Sequence, residues 1–200
     1  MACWCEEDKK ALLEFKEAID SDDIRIKEII KEKLLDNRFI IHVLNNKELE
    51  ESDAEPDEYY GTNILPYFIV PDVQTDTKNY LCYEISYNEL ERYNSSVKLL
   101  QLIFHILCHK EDIDDEDTGI ARHDLLAALV MDQFNFSNYF GQKVRLVSDR
   151  PTTTDSNYPT RTLVFEQITD NNLVKSRNGI PMLANKIPPV KVVMDGEEKA

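Results

Sequence analysis

Three histidines, one cysteine and seven acidic residues fall within residues 104–124, FHILCHKEDIDDEDTGIARHD. Imidazoles, thiolates and carboxylates are the ligands of zinc, and they also act as general acids and bases. A zinc site requires three or four such donors to converge at about 2 Å from the ion. The conformation of this stretch therefore decides whether the residues form a metal or catalytic site.

The apolar pattern across residues 99–109 predicts a strand. Every second side chain is apolar with no polar exception, while His105 and His109 share the opposite side. Four residues of strand separate the two histidines by about 13 Å, and Cys108 points to the other face. The sequence therefore predicts no metal site, with both histidines partly exposed on a strand. A buried helix is the alternative, and only a helix would bring His105, Cys108 and His109 together as ligands.

The acidic run EDIDDEDTG is expected to be a solvated turn. Its Asp residues have calcium-like spacing, but the glycine at the sixth loop position and the distal glutamate of a calcium-binding loop are missing. His123 and Asp124 are adjacent on a predicted helix and so diverge by about 100°. The sequence also contains no recognisable nucleophile context and no phosphate-binding glycine loop. We therefore predict a protein that is not an enzyme and that has no catalytic, cofactor-binding or metal residues.

Two amphipathic helices are predicted at the start of the chain. The first covers residues 8–19, and residues 20–23 supply cap residues for a second helix that ends at about residue 37. An acidic connection over residues 41–78 follows, in which three prolines disfavour helices and central strands. Within it, residues 64–70 are expected to form one extended apolar piece.

Strand and helix patterns then alternate. Residues 79–87 and 99–109 are predicted strands, residues 119–133 a helix, and residues 142–148 and 158–169 two strands of a hairpin.

The predicted fold class is α+β, with an antiparallel or mixed sheet of about four main strands packed by a central helix. The hairpin connection is DRPTTTDSN. We divide the chain into an N-terminal helical segment (1–40), the connection (41–78), an α+β core (79–170) and an extended tail (171–200), as one globular domain overall.

Composition narrows the possible functions. The chain has 200 residues and a net charge of −15, which opposes a static grip on a nucleic-acid backbone. No window approaches the roughly 20 apolar residues of a membrane helix, and the start MACWCEEDKK does not resemble a signal peptide. We expect a protein made in the cytosol with reduced cysteines.

The order of elements, together with RHDLLAALVMDQF, GQKVRLVSDRPTTTDSNY and PTRTLVFEQ, resembles bacteriophage neck proteins of the tail-terminator or tail-completion type. The resemblance covers about residues 79–170 and implies a structural virion protein without catalytic residues. It also implies a ring, a hexamer in that family, that ends the tail tube and joins it to head-completion proteins below the portal. DNA would pass through the lumen non-specifically, and no membrane is involved.

A ring subunit needs two complementary surfaces, and three segments are candidate interfaces: residues 65–73, the hairpin loop at residues 150–157, and the tail after Leu173. The candidate contact residues are Leu65, Tyr67, Val70, Arg150, Thr153, Asp155, Asn157 and Leu173. Two other functions remain open from sequence: a non-enzymatic adaptor or regulatory binding protein, and a zinc-dependent enzyme centred on His105 and His109.

Overall fold

A computed structural model describes five stretches of the chain: residues 6–13, 22–69, 77–89, 97–155 and 158–170. The chain divides into two compact units. One contains residues 1–21 and 172–200, in which helix α1 (Glu6–Leu13) is described, and the other contains residues 22–171. The larger unit contains all the other helices and strands that the structure describes.

The larger unit begins with three helices. Helix α2 (Asp22–Leu35) agrees with the predicted second helix, and α3 (Arg38–Leu44) and α4 (Lys47–Glu51) follow it. Asn37 caps α3 by accepting from the backbone N–H of Phe39 and Ile40, and Asn46 caps α4 by accepting from that of Leu49.

Residues 41–78 contain more helical structure than the acidic, proline-containing connection predicted from sequence. Besides most of α3 and all of α4, this stretch contains a 3₁₀ turn (Pro56–Tyr59) that begins at its proline. Residues 64–70 were predicted to form one extended piece. Within residues 64–69, which the structure describes, only β1 (Ile64–Leu65) is a strand.

Five strands form one mixed sheet in the order β1-β2-β3-β5-β4. The main strands are β2 (Tyr80–Glu89), β3 (Val97–Leu107), β4 (Arg145–Asp155) and β5 (Tyr158–Asp170), and all of them pair antiparallel. Strand β1 pairs in parallel with β2. The predicted α+β class is confirmed, as is the strand across residues 99–107.

The inner face of the sheet packs against α2, α3 and α5 (Arg122–Phe134). Phe104 lies at the centre of this core, with its ring centroid 5.0 Å from that of Phe134 on α5 and 5.7 Å from that of Phe165 on β5. Each helix contributes residues at a spacing of three or four, such as Ile26, Ile30 and Leu34 on α2. This burial of one face fixes the register of the sheet, because a slip of one residue would expose the apolar set.

The connection between β4 and β5 is shorter than predicted, because β4 continues through most of it. Residues 149–155, expected to lie in the connection, continue the strand to Asp155, which pairs with Tyr158. Threonine is a strand-forming residue, and a proline is tolerated on an edge strand, so the run PTTT extends the ladder. The register shifts between Leu146 and Ser148 and again between Thr153 and Asp155.

Helix α5 begins three residues later than predicted. Gly119 has a φ of +66°, and a bridge between Asp114 and Ala121 closes the loop before the helix starts at Arg122. No helix among the described residues is both long and apolar enough to cross a membrane.

Candidate functional site

The structure separates the residues that sequence analysis considered as metal ligands. His105 lies on the outer face of β3, where its Nε2 is 3.4 Å from Glu84 Oε2 and its Nδ1 is 3.2 Å from Thr162 Oγ1. Burial lowers the pKa of His105 below its ordinary value, and the nearby Glu84 carboxylate opposes that shift. Cys108 is completely buried in the core on the inner side, and burial raises the pKa of its thiol.

His109 differs from the prediction of a partly exposed strand residue. Strand β3 ends at Leu107, and His109 is only 8% exposed, with its ring edge-on to Tyr158 at 5.1 Å. Its Nδ1 accepts from the backbone N–H of Glu111 at 3.3 Å and so caps the 3₁₀ turn Lys110–Asp112. The histidine is buried because the chain turns at this point instead of continuing as a strand.

His123 and Asp124 do not form an isolated acid-base pair. Asp124 is hydrogen-bonded to Arg161 on β5, which also binds both carboxylate oxygens of Asp149 at 2.7 Å. The Nε2 atom of His123 is 3.5 Å from Asp124 Oδ1. In the stretches that the structure describes, no three His, Cys, Asp or Glu side chains converge on a point where a metal ion could be held.

A buried polar network includes two residues of the predicted solvated turn, Asp112 and Asp115, while the other four acidic residues of the turn are exposed as expected. Arg122, 3% exposed at the start of α5, donates from Nη1 to Asp115 Oδ1 at 2.8 Å. Its Nε lies 3.5 Å from Asp112 Oδ1, which makes a second ion pair. Asp115 is itself 4% exposed and accepts two further bonds from Thr118, whose side chain is the main reason that its pKa is lowered.

Four asparagines extend this network to further elements of the same unit. Asn45 donates to both oxygens of Asp112 at 2.8 and 2.9 Å, and Asn79 donates to Asp112 Oδ2 at 2.7 Å. Asn63 donates to the backbone carbonyl of Asn79, and Asn46 donates to Asn63 Oδ1. The network therefore ties the α3–α4 junction to the loop before β1, the start of β2 and the turn after β3.

Two open clefts border the network. One, of about 450 Å³, has Lys47, Lys78 and Glu111 in its wall, and the other, of about 270 Å³, has His42 and Asp117. The carboxylates at the centre of the network already accept bonds from asparagine, threonine and arginine side chains, so their charge is compensated inside the protein. The arrangement is suited to fixing the positions of these loops.

The outer face of the sheet is a second candidate site, and it is larger than the buried polar network. Five outward-facing rows of residues cross β2, β3 and β5. In one of them Gln101 accepts from Ser86, and also from Asn88 of the next row, and donates to Glu166 at 2.8 Å. This row of side-chain hydrogen bonds leaves the polar groups of the strands paired across the surface. Such a face is ordered before any partner binds to it.

Apolar side chains interleave with that polar row. Ile103 pairs with Val164, and Leu99 with Ile168, which is 47% exposed. None of these four belongs to either of the two apolar clusters that are formed by buried residues. The described part of the outer face is therefore a mixed apolar and polar surface, typical of protein contact surfaces.

One end of this face is covered. Phe68 and Ile69, which follow β1, pack on a second small cluster made of Leu65, Cys82, Leu107 and Tyr158. The ring of Phe68 is 4.6 Å from that of His105. The remaining rows, away from this segment, make up what we call the open sheet face: Leu99, Gln101, Ile103, Val164, Glu166 and Ile168.

The predicted contact residues occupy different environments. Leu65 is 4% exposed, and its side chain packs within the subunit as part of the second cluster. Tyr67 is 54% exposed, and Arg150 is exposed on β4 beside the open sheet face, where it pairs with Thr162. Backbone positions are described for two more, Thr153 and Asp155, both on β4. The other three, Val70, Asn157 and Leu173, lie outside the described residues.

Sequence reasoning missed the buried network and the open sheet face for different reasons. The network has partners up to 79 residues apart in sequence, as between Arg122 and the carbonyl of Val43, so no local pattern reveals it. The open sheet face had a signal, because Leu99, Ile103 and Leu107 interrupt the polar side of β3.

Comparison with known proteins identifies a family. No curated protein is matched, whereas the family model named YomW matches residues 33–167, about two thirds of the chain. The match begins near the end of α2 and ends within β5, so it includes the buried polar network and most of the open sheet face. The family's name comes from a gene of the SPBc2 prophage of Bacillus. This chain belongs to the YomW family and is a phage-associated protein.

Proposed function

We propose that this phage-associated protein is a structural component of the virion neck. In this proposal its copies form a ring, a hexamer, that ends the tail tube and joins it to the head-completion and portal assembly. DNA passes through the lumen without being bound in a sequence-specific way. The partners are further copies of the chain, the tail-tube protein and neighbouring neck proteins, and the protein is not an enzyme.

The open sheet face is the observation that carries the proposal. A subunit of a closed ring must present two different surfaces to its neighbours, and each must be ordered and partly apolar. The open sheet face meets both requirements, because its polar row is internally hydrogen-bonded and Ile168 is 47% exposed at its edge. Membership of a phage-associated family and the α+β fold agree with the resemblance to tail terminators.

The net charge of −15 also supports this function. A negatively charged channel wall repels DNA and so reduces sticking during packaging and ejection. The same charge would weaken a protein that had to hold DNA by its phosphates.

The direct test is electron cryomicroscopy of the parent phage particle, to locate the chain along the head-to-tail axis. We expect density for this fold at the junction of the head and the tail. A chain that is absent from purified particles and is recovered bound to one cytoplasmic protein would overturn the neck assignment in favour of an adaptor.

A pair of matched variants tests the role of the open sheet face in the same particles. Ile168→Asp places a charge on the open sheet face, and Ile120→Asp places the same charge on the loop before α5, at the same 47% exposure. When a phage that lacks the gene is supplied with each variant, Ile168→Asp should yield heads and tails that do not join, whereas Ile120→Asp should yield intact particles. Equal yields of joined particles from the two variants would contradict the role of this face.

A further inference from the structure

Phe136 has a backbone conformation that large side chains rarely adopt. Its φ is +61°, in the left-handed region, whereas the other non-glycine residues described with positive φ are Asn45 and Asp53. Asn and Asp tolerate this conformation, and a bulky residue there is an outlier that costs free energy. Phe136 also follows the last residue of α5 and its cap, a position where glycine or asparagine is usual.

The loop around Phe136 is well ordered. The backbone N–H of Phe136 donates to the carbonyl of Val144 at 2.8 Å, and that of Val144 donates to the carbonyl of Ser137 at 3.0 Å. The rings of Phe134 and Phe140, both buried, lie parallel with centroids 6.5 Å apart and hold the loop on the core. The position of Phe136 is therefore fixed by the backbone on both sides.

The Phe136 side chain nevertheless lies mostly in solvent. It is 61% exposed, the highest value among the large apolar side chains of the described residues. The protein thus holds a strained residue in a place where its ring gains little burial within the subunit. Exposed, rigidly placed aromatic side chains of this kind are the usual anchors of protein–protein contacts.

A cleft on the same unit has the properties needed to receive that ring. It lies between the α2–α3 junction and the 3₁₀ turn at Pro56 and has a volume of about 530 Å³. Leu35, Ile41 and Pro56 supply its apolar lining. Its charged lining is acidic on balance, because Asp36, Glu55 and Asp57 are accompanied by a single basic residue, Arg38. We call it the α2–α3 cleft; its volume is within the range of about 300–1,000 Å³ in which compact groups bind.

Charge indicates which partner would fill the cleft. The loop from Asn135 to Val144, NFSNYFGQKV, has a single charged residue, Lys143, which is exposed and has no ion pair within the described residues. The hydrogen bond from the Phe136 N–H to the Val144 carbonyl brings the backbone that carries Lys143 close to that of Phe136. One loop thus carries an exposed apolar ring and a single positive charge, and the cleft combines apolar lining with a net acidic set of side chains.

We propose that Phe136 of one copy inserts into the α2–α3 cleft of a second copy, with Lys143 next to Glu55 and Asp57. The cleft is lined by residues other than Phe136, so each copy can donate its ring to one neighbour and accept the ring of another. This mode of self-association goes beyond the proposed neck function and does not depend on it.

The principal test is the variant Phe136→Asn, studied in the full-length chain by sedimentation equilibrium. Asparagine accepts positive φ, as Asn45 does, so the variant should fold with an unfolding temperature within a few degrees of wild type. Loss of an aromatic anchor should weaken self-association by about 30-fold. The control Ile120→Asn removes another exposed apolar side chain, and it should associate as the wild type does.

Charge exchange tests whether the cleft is the receiving surface. Lys143→Glu should weaken association, and so should the double change Glu55→Lys with Asp57→Lys. A chain that carries all three changes should regain most of the lost affinity, because opposite charges again face each other.

Mixing tests the two surfaces separately. A Phe136→Asn chain retains an intact cleft, and a chain with Glu55→Lys and Asp57→Lys retains an intact ring. Each chain alone lacks one of the two surfaces and should associate weakly. In the mixture the ring of the second chain can enter the cleft of the first, so one-to-one pairs should form, and growth should stop at the pair.

Four results would overturn the proposal. They are a wild-type chain that stays monomeric at every concentration, a Phe136→Asn chain that associates normally, charge exchange without recovery, and a mixture that forms no pairs. Each of these results is obtained with the purified chain, so it is independent of where the chain lies in the particle.

Discussion

Replacing Arg122 with methionine removes a buried positive charge but keeps most of the length of the side chain. Arg122 is 3% exposed, with Nη1 2.8 Å from Asp115 Oδ1 and Nε 3.5 Å from Asp112 Oδ1. After the substitution, both carboxylates lose the guanidinium group that pairs with them. Asp115, itself 4% exposed, retains the Thr118 N–H and hydroxyl as donors.

Removal of one partner from a buried ion pair usually costs about 3–5 kcal/mol, because the other charge stays buried without compensation. Asp112 and Asp115 keep their other hydrogen-bond donors, so the expected loss in free energy of unfolding is at the lower end of this range, about 3 kcal/mol. A domain of this size has a free energy of unfolding of about 5–15 kcal/mol. The unfolding temperature should therefore fall by about 6–12 °C, since each kcal/mol corresponds to about 2–4 °C.

Urea denaturation followed by circular dichroism measures this loss, with Arg25→Met as the control. Arg25 is exposed on α2, so its replacement changes net charge equally and should cost less than about 0.5 kcal/mol. In a double-mutant cycle with Asp115→Asn, the second substitution should cost less than it does alone, because the two side chains interact. An Arg122→Met chain within about 1 kcal/mol of the control would refute the inference that this network holds the loops together.

Three further predictions concern ionisable side chains. Burial lowers the pKa of His105 below 6.5, so the stability that depends on its neutral form is fully present above about pH 6.5 and is lost as the pH falls further. The variant His105→Asn should remove that part of the pH dependence of urea unfolding. Hydrogen bonds from Arg161 lower the pKa of Asp149 below 3.8, so Asp149→Asn should cost about 1 kcal/mol near neutral pH and progressively less in acid below about pH 4. Burial raises the pKa of Cys82 to about 11 and also raises that of Cys108, which makes both thiols unreactive. Peptide mass spectrometry should therefore find both cysteines unlabelled by maleimide in the folded chain and labelled in denaturant.

The strands and helices that sequence analysis located correctly are those with a single buried face. In β3, Leu100, Leu102, Phe104 and Ile106 all point inward, so alternation alone defined the strand. In α5, Leu126, Val130 and Phe134 recur at the helical spacing. Local periodicity is sufficient in such elements because burial is decided by one packing partner.

The elements that were missed depend on less regular signals. Helices α3 and α4 each begin after an asparagine cap, Asn37 and Asn46, and the caps were visible in sequence although the acidic composition and the prolines suggested a connection. The buried network was not visible at all, because Asn45 and Asp112 are 67 residues apart and meet only after the sheet has formed. The acidic run is therefore a solvated turn in part: Asp112 and Asp115 join the network, whereas its other four acidic residues are exposed.

The geometry of β4 bears on how subunits would meet. In the described part of the chain β4 is an edge strand, and an exposed edge invites pairing with another chain. Pro151 has no N–H to offer to an incoming strand, and the register shifts next to Leu146 and Thr153 interrupt a regular ladder. These features oppose uncontrolled edge-to-edge pairing. Subunit contacts are therefore expected through side chains, on the open sheet face and at Phe136, because side-chain surfaces can select one partner geometry where a bare strand edge cannot.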